Sequence, residues 1–226
     1  MLLASTPPAL PCDLLQLQWL VPAGRNPEKP VQDSAAMPSS SSSSDERALQ
    51  HEWVRRVAEG DSGAYRALCE RYMEPLHRFA QRLLSSPSEA EDVVQETFLR
   101  VWQHAPRYQP TATVSTWIYR IARNLCLDRL RRRRETDERI SLLEGETGPG
   151  QLLDRKELSH QVQAALSELP ERQRSALLLV HFEGLSQQEA AAVLEVGVQA
   201  LESLLARGRR TLRKQLEAYR TPGGDR

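Results

Sequence analysis

The sequence is poor in the features that mark secreted, membrane-spanning or metal-dependent proteins. It has three cysteines, Cys12, Cys69 and Cys126, widely separated and partly on apolar helical stripes. That spacing argues against a disulfide framework or a zinc site and fits a reducing compartment. His77 has no second His or Cys at ligand spacing. No apolar run approaches the roughly 20 residues of a membrane span. The most apolar early stretch, residues 14–21, is short and carries Gln16 and Gln18. The N-terminus has no basic region ahead of it and holds Pro7, Pro8 and Pro11, so no secretory signal is read. A cytoplasmic location without membrane insertion is expected. Lysine is scarce, with only Lys29, Lys156 and Lys214. The formal net charge is zero, with 30 basic and 30 acidic residues. That balance hides segregation along the chain.

What is there is helical periodicity, densest between Ser88 and Arg134. Ser88 and Glu91 have capping-box spacing. Ala90, Val93, Val94, Thr97, Phe98 and Val101 then recur at three- and four-residue steps, one buried helical stripe. Asp92, Gln95, Glu96 and Gln103 fall off that stripe. They form either a solvated face or a docking surface. After a turn-rich Pro106-Arg-Tyr-Gln-Pro110 the charge changes sign. On a helix starting near Ser115, Ile118, Ile121, Ala122, Leu125 and Cys126 make the apolar stripe. Arg120, Arg123, Asn124, Leu127, Arg131 and Arg134 lie largely opposite, a mostly basic ridge of the kind that tracks phosphates. Tyr108, Trp117 and Tyr119 add rings nearby, and cations beside exposed rings suit single-stranded nucleic acid. For Trp117 a place in the core is the alternative, and the one favoured.

The rest of the chain frames this stretch. Residues 1–44 are rich in proline and then serine and cannot bury enough apolar surface to offset their ordering entropy, so a disordered low-complexity tail is expected. Translation from Met37 is an alternative for its beginning, and a short partner-binding helix over Leu14–Leu20 another. Residues 45–134 form a first domain. There Ser62 caps a helix with the stripe Tyr65, Leu68, Cys69, Tyr72, Met73, Leu76, Phe79, Ala80 and Leu83, and Pro75 is expected to kink or restart it. Residues 135–157, acidic and then glycine-rich, read as a linker. Residues 158–220 form a second domain. Gly184 ends one helix, Ser186 and Glu189 make a second capping box, a turn over Glu195–Gly197 follows, and a long helix begins near Val198. Short helix, tight turn and long helix is a helix-turn-helix layout, with Arg207, Arg209, Arg210, Arg213 and Lys214 making the last helix basic.

The order of these pieces resembles bacterial RNA polymerase sigma factors of the extracytoplasmic-function (ECF) type, in the sigma-70 family. Region 2 is carried by Asp92-x-x-Gln95-Glu96-x-Phe98, Val101-Trp102, Thr116-Trp117-Ile-Tyr119-Arg120-Ile121-Ala122-Arg123-Asn124, Asp128 and the arginine run. Region 4 is carried by Leu169-Pro170-Glu171-Arg172, Glu183-Gly184-Leu185-Ser186 and Glu189-Ala190-Ala191 before the long helix. The resemblance implies an all-α fold of two small helical domains, a region 2 bundle and a region 4 helix-turn-helix, joined by a flexible linker. It implies core RNA polymerase and promoter DNA, duplex and melted, as partners, with an anti-sigma factor as restraint. Asp92, Gln95, Glu96, Phe98 and Trp102 match the polymerase-docking surface. Tyr108, Trp117, Arg120, Arg123, Asn124 and Arg131 match positions near the melted -10 strand. Gln199, Ser203, Arg207 and Arg209 are the -35 candidates. Where the family commonly has basic residues early in the recognition helix, this chain has Glu202 and Leu204, with Ala200 in place of a common Thr.

No catalytic residue, cofactor, metal or small-molecule substrate is expected. Glu89, Glu91, Asp92 and Glu96 invite comparison with a metal-dependent nuclease, but acids are favoured in a first helical turn and no further ligand converges on them. A polymerase-independent helix-turn-helix regulator is the other alternative. It accounts for residues 171–214 and leaves the Asp92–Glu96 face and the Trp117–Arg134 segment without a role. A linker of about 25 residues spans some 25 to 30 Å as a coil and about 80 Å extended. Two sites one and a half duplex turns apart, roughly 50 Å, then require it stretched.

Overall fold

The structure is a computed structural model, and it describes the backbone of residues 40–141 and 157–220 and the side chains of residues 44–136 and 162–216. The expected tail through residue 39, with its alternatives, and the linker between residues 142 and 156 lie outside the described residues.

Every regular element among the described residues is helical. The first domain holds α1 (Ser40–Ala58), α2 (Ser62–Leu84), α3 (Pro87–His104), a short 3-10 turn (Ala105–Arg107) and α4 (Val114–Ser141). The second holds α5 (Glu157–Ser167), α6 (Glu171–Leu177), a π-helical turn (Leu178–Phe182), α7 (Gln187–Leu194) and α8 (Val198–Arg220). Two boundaries differ from expectation. The first helix starts inside the segment assigned to the tail, and α4 runs on to Ser141, past Arg134.

In the first domain α2 is the central element, flanked by α1, α3 and α4. Its predicted stripe is buried from Tyr65 to Leu83 except for Met73, which is half-buried, and Phe79 meets Tyr119 edge-on at 5.5 Å. Pro75 does not start a new helix, since α2 continues as one element from Ser62 to Leu84. A proline inside a helix removes a hydrogen bond, and here that loss is outweighed by ten buried side chains on one face. Two caps fall earlier than the sequence suggested. Asp61, not Ser62, accepts from the amides of Gly63 and Ala64 at the start of α2. Ser86 caps α3, with Pro87 in the first helical turn, so the Ser88–Glu91 spacing is not a cap.

In the second domain the capping box at Ser186 and Glu189 forms as read, with both reciprocal bonds made. The turn after α7 falls over Glu195–Gly197 as read, with Glu195 in the left-handed region at φ 55°. Gly208 lies where α8 crosses α6, and a Cβ there would stand 2.8 Å from Leu177 Cδ1.

The two domains are packed against each other. The helix α7 lies along α4, while α5, α6 and the π-helical turn lie on α2. One hydrophobic cluster runs through both halves.

Candidate nucleic-acid and polymerase-binding surfaces

Three surfaces hold the predicted site residues. The first is the outer face of α3. Asp92 and Gln95 are exposed there, because Val93, Val94, Thr97 and Phe98 turn the opposite side of the helix into the core. The side chain of Asp92 is 63% exposed and pairs with Arg129 of α4 at 3.2 Å. Glu96 is half-buried and pairs with Arg100 at 2.9 Å. Phe98 and Trp102 do not belong to this face. Both are 2% exposed and pack on Tyr65, Trp102 edge-on at 5.2 Å. They shape the surface from beneath and cannot touch a partner directly. Beside it, Arg100, Arg129, Arg132 and Arg133 line a cleft of about 590 Å³ between α3 and α4. Arg133 is tied across it to Glu89.

The second surface is α4 with the loop before it. Tyr108 and Trp117 are half-buried, with rings 4.7 Å apart. The Tyr108 hydroxyl lies 2.8 Å from His51 Nδ1, and burial pushes its pKa up to about 12. Trp117 is therefore neither fully core nor free. Asn124 and Arg131 are exposed. Arg120 and Arg123 are not the open ridge that the helical pattern implied. The Arg123 residue is 6% exposed and donates to Glu171 at 3.0 Å. Arg120 donates to the carbonyl of Ala192 at 2.7 Å, in the last turn of α7, and lies 3.8 Å from Glu195.

These contacts belong to a polar seam between the domains. Tyr119 donates to Glu183 at 3.0 Å, and Thr113 donates to Glu189 at 2.9 Å. Burial raises the pKa of Glu183, against the opposing effects of the Tyr119 hydroxyl and of Arg78 and Arg82. For Glu189 burial also acts upward, but hydrogen bonds from Ser186 and Thr113 bring it below the usual glutamate value. Arg82 stacks over Phe182 at 4.6 Å. Arg174 reaches from α6 into the end of α2, donating to the carbonyl of Leu83 at 2.8 Å. None of these partnerships was read from the sequence. Arg82 and Arg174 carry no local signal for these partners, and Glu183, though part of the Glu183-Gly184-Leu185-Ser186 motif, carries none for its contact with Tyr119.

The third surface is α8. Gln199, Ala200, Glu202, Ser203, Arg207 and Arg209 are all exposed, as are Arg210, Arg213 and Lys214 further along. Leu204 is half-buried against the core. Its place in the sequence is therefore no departure at a base-reading position, whereas Ala200 and Glu202 do stand on the open face. Among the described residues no group of three His, Cys, Asp or Glu side chains is placed to hold a metal. No helix among them is long and apolar enough to cross a membrane.

Comparison with known proteins agrees with this division. Residues 68–136 match the model described as Sigma-70 region 2, and residues 159–212 the one described as Sigma-70, region 4. The chain is 30% identical over 176 residues to the ECF RNA polymerase sigma factor SigW of Bacillus subtilis, covering 72% of this chain and 94% of that protein. It is 30% identical over 177 residues to the RNA polymerase sigma-H factor of Pseudomonas aeruginosa, covering 73% and 92%. Among solved structures it is similar to CnrH in complex with the cytosolic domain of CnrY, with a TM-score of 0.60 and 27% identity over 75% of this chain and 98% of that one. The fold is also that of the sigma factor RpoE from Bartonella quintana, solved with the anti-sigma factor NepR, at a TM-score of 0.57, 24% identity and coverage of 68% and 96%. With the surfaces and the matched segments in the same order, the chain belongs to the ECF RNA polymerase sigma factors.

Proposed function

We propose that this protein binds core RNA polymerase and directs it to a set of stress- or signal-responsive promoters, acting in the cytoplasm through binding rather than catalysis. Asp92, Gln95 and Glu96 on α3 are the polymerase-docking face, with Phe98 and Trp102 holding its shape. Tyr108, Trp117, Arg120, Asn124 and Arg131 contact the melted -10 strand, where guanidinium groups meet phosphates and rings meet unstacked bases, while Arg123 is engaged by Glu171. Gln199, Ser203, Arg207 and Arg209 on α8 contact the -35 duplex in its major groove. Glu202, on the same open face, is a carboxylate acceptor suited to a cytosine amino group. An anti-sigma factor is the restraining partner, by analogy with the relatives solved as such complexes.

The observation that carries this reading is an exposed acidic-amide face on α3 and an exposed basic face on α8 in one chain of this family. A stand-alone helix-turn-helix regulator needs only the second. The test is run-off transcription with core RNA polymerase lacking sigma on pooled upstream fragments, comparing wild type with Asp92→Ala/Gln95→Ala. Removing Asp92 costs the fold only an exposed ion pair, about 0–1 kcal/mol. Selective transcripts that vanish in the double variant are expected. Duplex binding without any association with core polymerase would sink the reading.

A further inference from the structure

The two halves of α8 differ in charge. No residue from 198 to 206 is basic, whereas Arg207, Arg209, Arg210, Arg213 and Lys214 crowd the part that follows, all of them exposed. The N-terminal half buries Leu201 and Leu205 and turns Gln199, Glu202, Ser203 and Ala206 outward, one face at three- and four-residue steps. Glu202 is the one charged residue in that half. Its neighbours one turn away on either side are Val198, Gln199, Leu205 and Ala206, so its own helix offers it no cation at ion-pair spacing. Among the described residues it makes no hydrogen bond or ion pair. Other surface acids of the chain are taken up by arginines: Glu52 and Glu59 by Arg55, Glu74 by Arg78, and Glu96 by Arg100. Glu202 therefore holds nothing together among the described residues.

A carboxylate laid against duplex DNA meets phosphates of its own sign, and only a hydrogen-bond donor on a base offsets that repulsion. In the major groove the donors are the amino groups of cytosine and adenine. Adenine sets its amino group beside the acceptor N7, while cytosine presents the amino group alone, so a carboxylate favours cytosine. Guanine and thymine offer it acceptors only. Gln199 is of the other type, a side chain that pairs with adenine through both N6 and N7. Three residues of helix rise about 4.5 Å, between one and two base steps of about 3.4 Å. On the reading of α8 as the -35 helix, we propose that Glu202 is its specificity-determining residue. It requires a cytosine in the -35 element, next to or one base pair removed from an adenine held by Gln199, and it excludes guanine and thymine from that place. The cations from Arg207 onward hold phosphates whatever the sequence. Affinity and specificity thus reside in different halves of one helix.

The test uses the full chain reconstituted with core RNA polymerase. A promoter recovered by run-off transcription is randomised over its -35 positions, each template carrying a transcribed barcode, and the transcripts are sequenced. Wild type should favour cytosine over guanine at one position by about 5- to 150-fold, the range of one base contact. Glu202→Ala should lose that preference and no other, and Glu202→Gln should move it to adenine. Gln199→Ala should lose the neighbouring adenine. Arg210→Ala/Arg213→Ala should lower transcription from all -35 sequences alike. Both Glu202 variants should match wild type in helical circular dichroism and in association with core polymerase. A cytosine preference unchanged in Glu202→Ala, or none in wild type, would overturn the role of Glu202, and the -35 reading of α8 would stand if Gln199→Ala or Ser203→Ala still altered base preference. Upstream base preferences identical in every α8 variant would overturn both.

Discussion

Arg174 offers the sharpest test of how the two domains are held together. It is 8% exposed, and its guanidinium donates to three carbonyls: Leu83 at 2.8 Å, Ser167 at 2.8 Å and Leu169 at 3.2 Å. The first lies in the last turn of α2 and the others at and after the end of α5, so one side chain closes two helix ends from different domains. Burial lowers its pKa, with the charge of Glu171 acting the other way. In Arg174→Met the side chain keeps much of its length and loses all its donors. Three hydrogen bonds from a charged group, at about 1.5–3 kcal/mol each, sum to roughly 5–9 kcal/mol. Relief from burying the guanidinium returns several kcal/mol, so the net loss should be about 2–4 kcal/mol. Guanidinium chloride denaturation followed by helical circular dichroism measures it, and a second transition should emerge as the domains uncouple. Arg174→Lys should fall between, since an ammonium cannot span three carbonyls with a planar fork. A loss under about 1 kcal/mol in Arg174→Met, with a single transition retained, would sink this account, because it would mean that the carbonyls find other partners at little cost.

Glu183 should behave in the opposite way. Its side chain is 1% exposed and its pKa is raised above 4.5 by burial. The folded chain therefore holds this proton more tightly than the unfolded one, and the group's contribution to stability falls as pH rises from the ordinary value through the raised one. Glu183→Gln should be as stable as wild type or more so at pH 7, with the difference shrinking toward pH 4. Denaturation midpoints across that range check it, and a variant clearly less stable at pH 7 would show that the carboxylate's bonds to Tyr119 and Arg82 outweigh its burial. Gly208→Ala gains up to about 1 kcal/mol in helix propensity. Its Cβ would stand 2.8 Å from Leu177 Cδ1 and 3.3 Å from Cγ of a side chain that is 2% exposed. Overpacking of this kind costs about 1–3 kcal/mol, so a net loss near 1 kcal/mol is expected by thermal denaturation. A gain would mean that α6 and α8 separate freely.

The helical class, the two halves and their order, the buried stripes, the capping box at Ser186 and the family were legible in the sequence. All of these rest on local periodicity and short motifs, which survive in a chain read residue by residue. It also marked Asp92, Gln95 and the α8 face correctly as surface, because positions off a strong stripe have only solvent to face. Periodicity put Phe98 on the buried stripe, where it lies, but the family motif put it and Trp102 on the docking surface, because matching a motif says that residues belong together and not which of them point inward. The sequence put the caps of α2 and α3 one or two residues late, where several Asp and Ser side chains compete for the same free amides. The fate of Arg120 and Arg123 came from tertiary packing. On an isolated α4 they form an open basic ridge. Their partners Glu171, Ala192 and Glu195 lie 48 to 75 positions further along the chain, and a pairing at that distance leaves no trace in periodicity. The same holds for Arg174 and the carbonyl of Leu83. Side-chain pattern sets what each helix buries, and the docking of one domain on the other sets which charges remain free to meet a partner.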